Sequence, residues 1–216
     1  MSAVAAFFVC MRENRESWPD VYSFLNYSVK DTTRCSHCGN ISSNEEREEL
    51  YTEVNCPSDG LKLSTHIEEY FNKGEEVEDS TCPMCHTVGK AEKRTVLENV
   101  ENTQFIIVII QRTERDYRGR PTINTNDVPC TDNITLKDTN NCEAMFELIC
   151  VIQHEGVLRG DGGSYGHYTA DVKEQSNSKW FRTSDNAAPI PINSSEVTKR
   201  GYIFLYKNIS FGLASC

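Results

Sequence analysis

Basic residues are in deficit: 22 Lys and Arg stand against 32 Asp and Glu, a formal charge of −10. That sign disfavours nucleic acid or an anionic membrane surface as the main partner and suits a basic one. Long apolar runs are also missing. The longest, Phe105 to Ile110, is far too short to cross a bilayer, and Ala3 to Val9 has neither the basic lead-in nor the length of a secretory leader. A soluble, intracellular protein is the expectation. Internal repeats and low-complexity tracts are absent too, apart from one pair of cysteine knuckles. The 216 residues suffice for one large domain, or a core with one appended subdomain, that needs no stapling.

Cysteine, by contrast, is plentiful. Ten cysteines and the Asn-x-Ser/Thr sequons at Asn26, Asn40, Asn133, Asn193 and Asn208 keep a secreted, disulfide-bonded protein open. Four cysteines have a better account. Cys35-x-x-Cys38 and Cys82-x-x-Cys85 are two pairs separated by a foldable insert, the donor set of a tetrahedral structural zinc site. Two-residue spacing strains a disulfide and suits a shared metal. Gly39, directly after the second cysteine of the first pair, permits the left-handed turn such a knuckle needs. Four sulfurs close the coordination shell, so His37 and His86 read as surface residues and the metal as scaffold.

Between and around the knuckles the pattern is mixed. Ala3 to Met11 reads as a short helix, and Pro19 closes the polar stretch after it. Glu45 to Glu53 reads as a solvated acidic face and Gly74 to Ser80 as an acidic loop. Leu63 to Phe71 reads as a helix, with Thr65-x-x-Glu68 at capping-box spacing and Ile67, Tyr70 and Phe71 as one apolar stripe. From Arg94 the pattern turns to strands. Phe105 to Gln111, an unbroken run, reads as the middle of a sheet buried on both faces. A long polar excursion from Thr113 to Asn141 holds few core residues beyond Ile134 and Leu136. Phe146 to His154, Tyr168 to Lys173, Lys179 to Arg182 and Gly201 to Lys207 follow as strands separated by turn residues, which favours an antiparallel sheet and an α+β fold.

Gly166-His167-Tyr168 opens one of these strands, and Ser184-Asp185 closes the next. A catalytic imidazole needs a neighbour of that kind, because a hydrogen bond to one ring nitrogen fixes the tautomer that frees the other.

Together these stretches resemble the ubiquitin-specific proteases, papain-like cysteine deubiquitinases built of fingers, palm and thumb. The paired knuckles resemble zinc-ribbon fingers; Phe105 to Arg112 is similar to the family's apolar strand ending in a basic residue; Val128-Pro129 with Ile134-Thr135-Leu136 is similar to its valine-proline-leucine stretch. Phe146 to Gly156 resembles its His-x-Gly strand. Gly166-His167-Tyr168, Trp180 and Gly201 to Tyr206 match its histidine box. The resemblance implies a partial thumb in residues 1–30, zinc-binding fingers in 31–100 and an antiparallel-sheet palm in 101–216. It implies structural zinc on Cys35, Cys38, Cys82 and Cys85, and ubiquitin or ubiquitinated proteins as partners. His167 would be the general base, and its orienting partner falls on Ser184, where the family usually has Asp or Asn, so Asp185 shares or takes over that role. His154 would be an ordinary palm strand residue.

The family's cysteine box, Gly-Asn-x-Cys, has no match in these residues. Met1 to Met11 resembles a helix that lies well after that box. Cys10 lies in an apolar run, Cys150 in a core strand, Cys56, Cys130 and Cys142 in loops and Cys216 on the tail, none with the surroundings of a nucleophile. The expectation is a deubiquitinase domain that is truncated or catalytically dead here. The alternative is a non-catalytic, zinc-stabilised module that binds ubiquitin or another protein.

Overall fold

The computed structural model describes residues 10–13, 15–57, 60–130, 133–158, 164–185 and 187–211. Of the expected helix over Ala3 to Met11 only residues 10 and 11 are described, and they are helical together with 12 and 13; the rest of that segment and Cys216 lie outside the described residues. Helix α1 (Pro19–Leu25) begins on the proline expected to close a stretch. Proline is tolerated there because the first helical N–H has no intrahelical partner to lose.

Strands β1 (Tyr27–Cys35), β2 (Ile41–Ser43) and β3 (Arg47–Glu49) follow, then β4 (Thr52–Asn55), helix α2 (Leu63–Asn72), β5 (Glu75–Thr81) and β6 (Val88–Glu98). β1, β2, β3, β5 and β6 make a small antiparallel sheet in which β1 and β6 are central. The expected acidic loop at Gly74 to Ser80 is thus mostly an edge strand. Its Glu75, Glu76 and Glu78 stand where charge deters pairing with another chain. Nor is Glu45 to Glu53 a uniformly solvated face: Leu50 and Thr52 are buried, and Glu48 accepts a hydrogen bond from the Tyr22 hydroxyl at 3.0 Å.

Helix α2 starts at Leu63, two residues before the expected capping box, and no side chain caps it. Thr65 therefore falls inside the first turn. Its buried stripe is Leu63, Ile67 and Phe71, at i, i+4 and i+8, while Tyr70 is exposed.

β7 (Phe105–Gln111), the hairpin β8 (Thr113–Arg115) and β9 (Pro121–Ile123), β10 (Asn133–Lys137), β11 (Glu143–Leu158), β12 (Ser164–Lys173), β13 (Trp180–Thr183), β14 (Ile190–Ile192) and β15 (Gly201–Asn208) complete the chain. The large sheet runs β14-β13-β12-β11-β15-β7-β4, with β10 also on β11. Every pairing is antiparallel except β4 with β7, which is parallel. β7 is buried on both faces, as its composition requires. Ile106, Val108 and Ile110 enter the main core with α2, Phe146, Phe204 and Tyr206. Ile107 and Ile109 enter a second core with Met11, Tyr22, Leu50 and Ile203. The first turns of the small sheet also belong to the main core through Tyr27, Val29 and Leu97, so the two sheets share one interior.

Candidate functional site

Two constellations stand out: one gathers four cysteine sulfurs, the other is built around a histidine.

At the far end of β1 the chain folds into two knuckles of the same design. The Cys35 carbonyl accepts from Gly39 N–H and the Cys82 carbonyl from His86 N–H, each at 2.9 Å, and the Cys35 and Cys82 amides close the loops on Asn40 and Thr87. The position after the second cysteine is left-handed in both, at φ 71° for Gly39 and 57° for His86. Glycine takes that conformation freely; histidine does so at a cost. The knuckles bring Cys35, Cys38, Cys82 and Cys85 together with all four sulfurs within 4.8 Å of one another. Cys35 Sγ lies 3.9 Å from Cys85 Sγ, and Cys38 Sγ 3.6 Å from Cys82 Sγ. Ligands about 2.3 Å from a tetrahedral zinc are separated by about 3.8 Å, so this thiol set fits such an ion. Backbone N–H groups of Cys38 and His37 draw the Cys35 thiol down, and the Thr87 hydroxyl and amide draw Cys85 down to about 6. Both effects favour the thiolate that a metal binds; the Asn40 amide draws Cys38 down as well, but burial and the neighbouring sulfurs outweigh it and push that thiol up to about 12. His37 and His86 are exposed and outside the cluster.

The histidine stands on β12, paired across the ladder with Glu155 of β11. On the adjacent strand the chain leaves β13 at Thr183, opposite Ala170, and turns at Asp185, whose φ is 41°. Ser184 Oγ then lies 2.5 Å from His167 Nε2, and Asp185 Oδ2 lies 3.4 Å from Nδ1. The three residues singled out in the sequence are therefore brought together, with one polar partner on each ring nitrogen. What sets this height is a buried clamp. Asp171, 1% exposed, takes Arg182 Nε and Nη2 at 2.7 and 2.9 Å and the Thr198 amide at 2.8 Å, while Arg182 Nη2 also reaches the Glu196 carbonyl. That bidentate pair locks β13 onto β12 two residues before Ser184. The sequence showed Asp171 and Arg182 only as strand residues of opposite charge.

Beside the histidine lies a cleft that sequence reasoning missed. His154 is a strand residue, as expected, but its ring lies 4.4 Å from that of Tyr168 and 6.0 Å from that of Tyr202. Arg112, the basic end of the β7 run, is stacked over Tyr202 at 5.7 Å. The remaining thiols are placed otherwise than as a nucleophile requires. Burial raises Cys56, and burial with Asp171 pushes Cys150 up to about 11. Cys130 donates to the Thr198 carbonyl, and Cys142 is disulfide-bonded. Cys10, expected within an apolar helix, is exposed.

The family model for ubiquitin carboxyl-terminal hydrolase matches residues 12–206. The chain belongs to this family. Ubiquitin carboxyl-terminal hydrolase 15 of Homo sapiens is 26% identical over 132 residues, covering 58% of this chain and 12% of that protein. Ubiquitin carboxyl-terminal hydrolase 4 of Rattus norvegicus is 32% identical over 63 residues, covering 29% of this chain and 6% of its own length. The fold matches the SAGA Ubp8 DUB module bound to ubiquitin aldehyde, with a TM-score of 0.69 at 19% identity, over 86% of this chain and 42% of that one. The same module bound to monoubiquitin gives 0.70 at 21%, over 87% and 41%. This hydrolase-family chain thus has the ubiquitin-specific protease fold, and it spans less than half the length of these relatives.

Proposed function

We propose that this chain supplies the fingers and palm of a thiol-dependent deubiquitinase that recognises ubiquitin and, in complete form, hydrolyses the isopeptide bond after its C-terminal glycine. The observation that carries the reading is His167 set between Ser184 and Asp185 in a chain of this family. In that reaction a thiolate attacks the isopeptide carbonyl, with His167 first accepting the thiol proton and then delivering it to the leaving amine. Water resolves the thioester. Ser184 orients the imidazole but is neutral, so Asp185 provides the negative charge that steadies the imidazolium. Cys35, Cys38, Cys82 and Cys85 hold a structural zinc ion, which fixes the tip of the fingers without taking part in the chemistry. The acidic surface suits a basic protein partner, and the site of action is intracellular.

The 216 residues do not by themselves turn over ubiquitin conjugates. With a fluorogenic ubiquitin C-terminal substrate the expected outcome is binding without hydrolysis, and turnover that disappears in His167→Ala would refute it. The placement of the thiols favours a second reading, a zinc-stabilised ubiquitin-binding module without catalysis. Four are gathered in the cluster, and Cys56 and Cys150 are raised by burial. Under it, ubiquitin affinity measured by fluorescence anisotropy survives His167→Ala and is lost in Cys35→Ser.

A further inference from the structure

Ser43 stands exposed at the end of the edge strand β2, and among the described residues nothing is hydrogen-bonded to its hydroxyl. Asn44, Glu45 and Glu46 carry the chain on through exposed, irregular backbone before β3 begins at Arg47. Neither Glu45 nor Glu46 joins an ion pair among the described residues. A free hydroxyl is therefore followed by uncommitted carboxylates at the second and third positions after it. Ser42 differs: it is half-buried, and its hydroxyl donates to the Thr33 carbonyl at 3.4 Å.

The strand ladder fixes what lies beside that hydroxyl. Ser43 is directly opposite Thr32 of β1, so both side chains share one face of the small sheet with Lys30 and Arg34, the next residues of that face on either side of Thr32. Such diagonal neighbours are about 7–8 Å apart, within reach of long side chains. Neither cation is bonded to a carboxylate among the described residues. The acids close by are taken. Glu92, opposite Arg34 on β6, holds Arg94 at 2.8 Å, and Asp31, on the other face, holds Arg47 at 3.0 Å and Lys93 at 4.0 Å. We propose that Ser43 is a phosphorylation site for an acid-directed serine kinase, and that Lys30 and Arg34 receive the phosphate. Glu45 and Glu46 are what the basic substrate cleft of such a kinase reads. Ser43 Oγ attacks the γ-phosphorus of ATP, the bond from that phosphorus to the β,γ-bridging oxygen breaks, ADP leaves, and the hydroxyl proton passes to the kinase's base. The phosphate then gives the two spare cations an acceptor and ties β2 to β1 through charge-assisted hydrogen bonds. That edge is otherwise held by a ladder of only three residue pairs, so the tie tells most there. The site lies apart from His167 and does not depend on isopeptide chemistry.

The test incubates the whole chain with magnesium ATP and casein kinase II as the acid-directed probe, and maps the product by mass spectrometry. About one phosphate per chain at Ser43 is expected, none there in Ser43→Ala, and a rate lower by about tenfold or more when Glu45→Gln and Glu46→Gln are combined. All three residues are exposed, so these variants fold. Failure to modify Ser43, modification of Ser17 or Thr113 in its place, each also followed by an acid at the third position, or a rate indifferent to the two glutamines overturns the site. Hydrogen exchange of the amides of residues 41–43 reads the seating. Phosphorylation is expected to slow it by about threefold or more, and to leave it unchanged when Lys30→Gln and Arg34→Gln are combined. Equal exchange with and without phosphate, or equal slowing in that double variant, overturns the receiving role of the two cations.

Discussion

Removing the Asp171 carboxylate should loosen the strand that carries Ser184. The carboxylate is 1% exposed and holds three donors, two from Arg182 and one from the Thr198 amide. Breaking one partner of a fully buried ion pair costs about 3–5 kcal/mol, because the other charge is stranded. Arg182 is 36% exposed, so its guanidinium rehydrates in part, and the expected loss for Asp171→Ala falls to about 2–3 kcal/mol. At about 2–4 °C per kcal/mol for a chain of this size, the melting temperature drops by about 4–12 °C. Trp180 sits on β13 itself and is largely buried, so its fluorescence in a urea or thermal titration reports the strand directly. The double replacement Asp171→Leu with Arg182→Met removes both charges together and should recover part of the loss. If Asp171→Ala costs less than about 0.5 kcal/mol, the pair is an incidental contact and does not set the position of Ser184.

Three further outcomes follow from the geometry. Chelation, or Cys35→Ser, should abolish hydrogen-exchange protection around the knuckles while leaving β7 and β15 protected, since the sulfur cluster shares no core residue with them. Gly201→Ala should cost about 1–3 kcal/mol by urea denaturation, because an added Cβ would run into Val151 and Phe204 of the packed core. Burial alone would raise the Asp31 carboxyl, but the Thr95 hydroxyl and Arg47 outweigh it and hold the group below the usual carboxylate range. Its contribution to folding is fully present above the unfolded value of about 3.9 and is lost as pH falls through the folded one, so Asp31→Asn should flatten the acid limb of the urea midpoint against pH.

Much of this was legible in the chain, and the misses share a cause. Phe105 to Gln111 announced a strand buried on two faces because only a central position satisfies that composition. The knuckles and the Gly166-His167-Tyr168 strand were readable because turn and metal chemistry demand particular residues at fixed spacing. Glu75 to Thr81 was not, since an edge strand with no core contact carries no apolar alternation and looks like a loop. The start of α2 at Leu63 was legible, but the capping box at Thr65 was not its cap: the Leu63 amide is satisfied by the Pro129 carbonyl, a partner far along the chain. The same holds for β4, whose parallel pairing with β7 bridges half a hundred residues and leaves no local trace. Ser184 and Asp185 could be picked out beside His167, but not which ring nitrogen each one faces. Arg112 was visible only as the charged end of an apolar run; that three loops would converge on it was not written in any local pattern.

β1 has a mechanical consequence. Its first residues, Tyr27 and Val29, are anchored in the main core, and its last, Cys35, binds the sulfur cluster, about 27 Å further along at the rise of an extended strand. With β6 laddered alongside over nearly its whole length, the pair is a cantilever clamped at one end. A small rotation of the clamp sweeps the tip through a large arc, so a partner gripping the knuckles would gain leverage over the interior beneath β7, and a repacking there would be read out at the sulfur cluster.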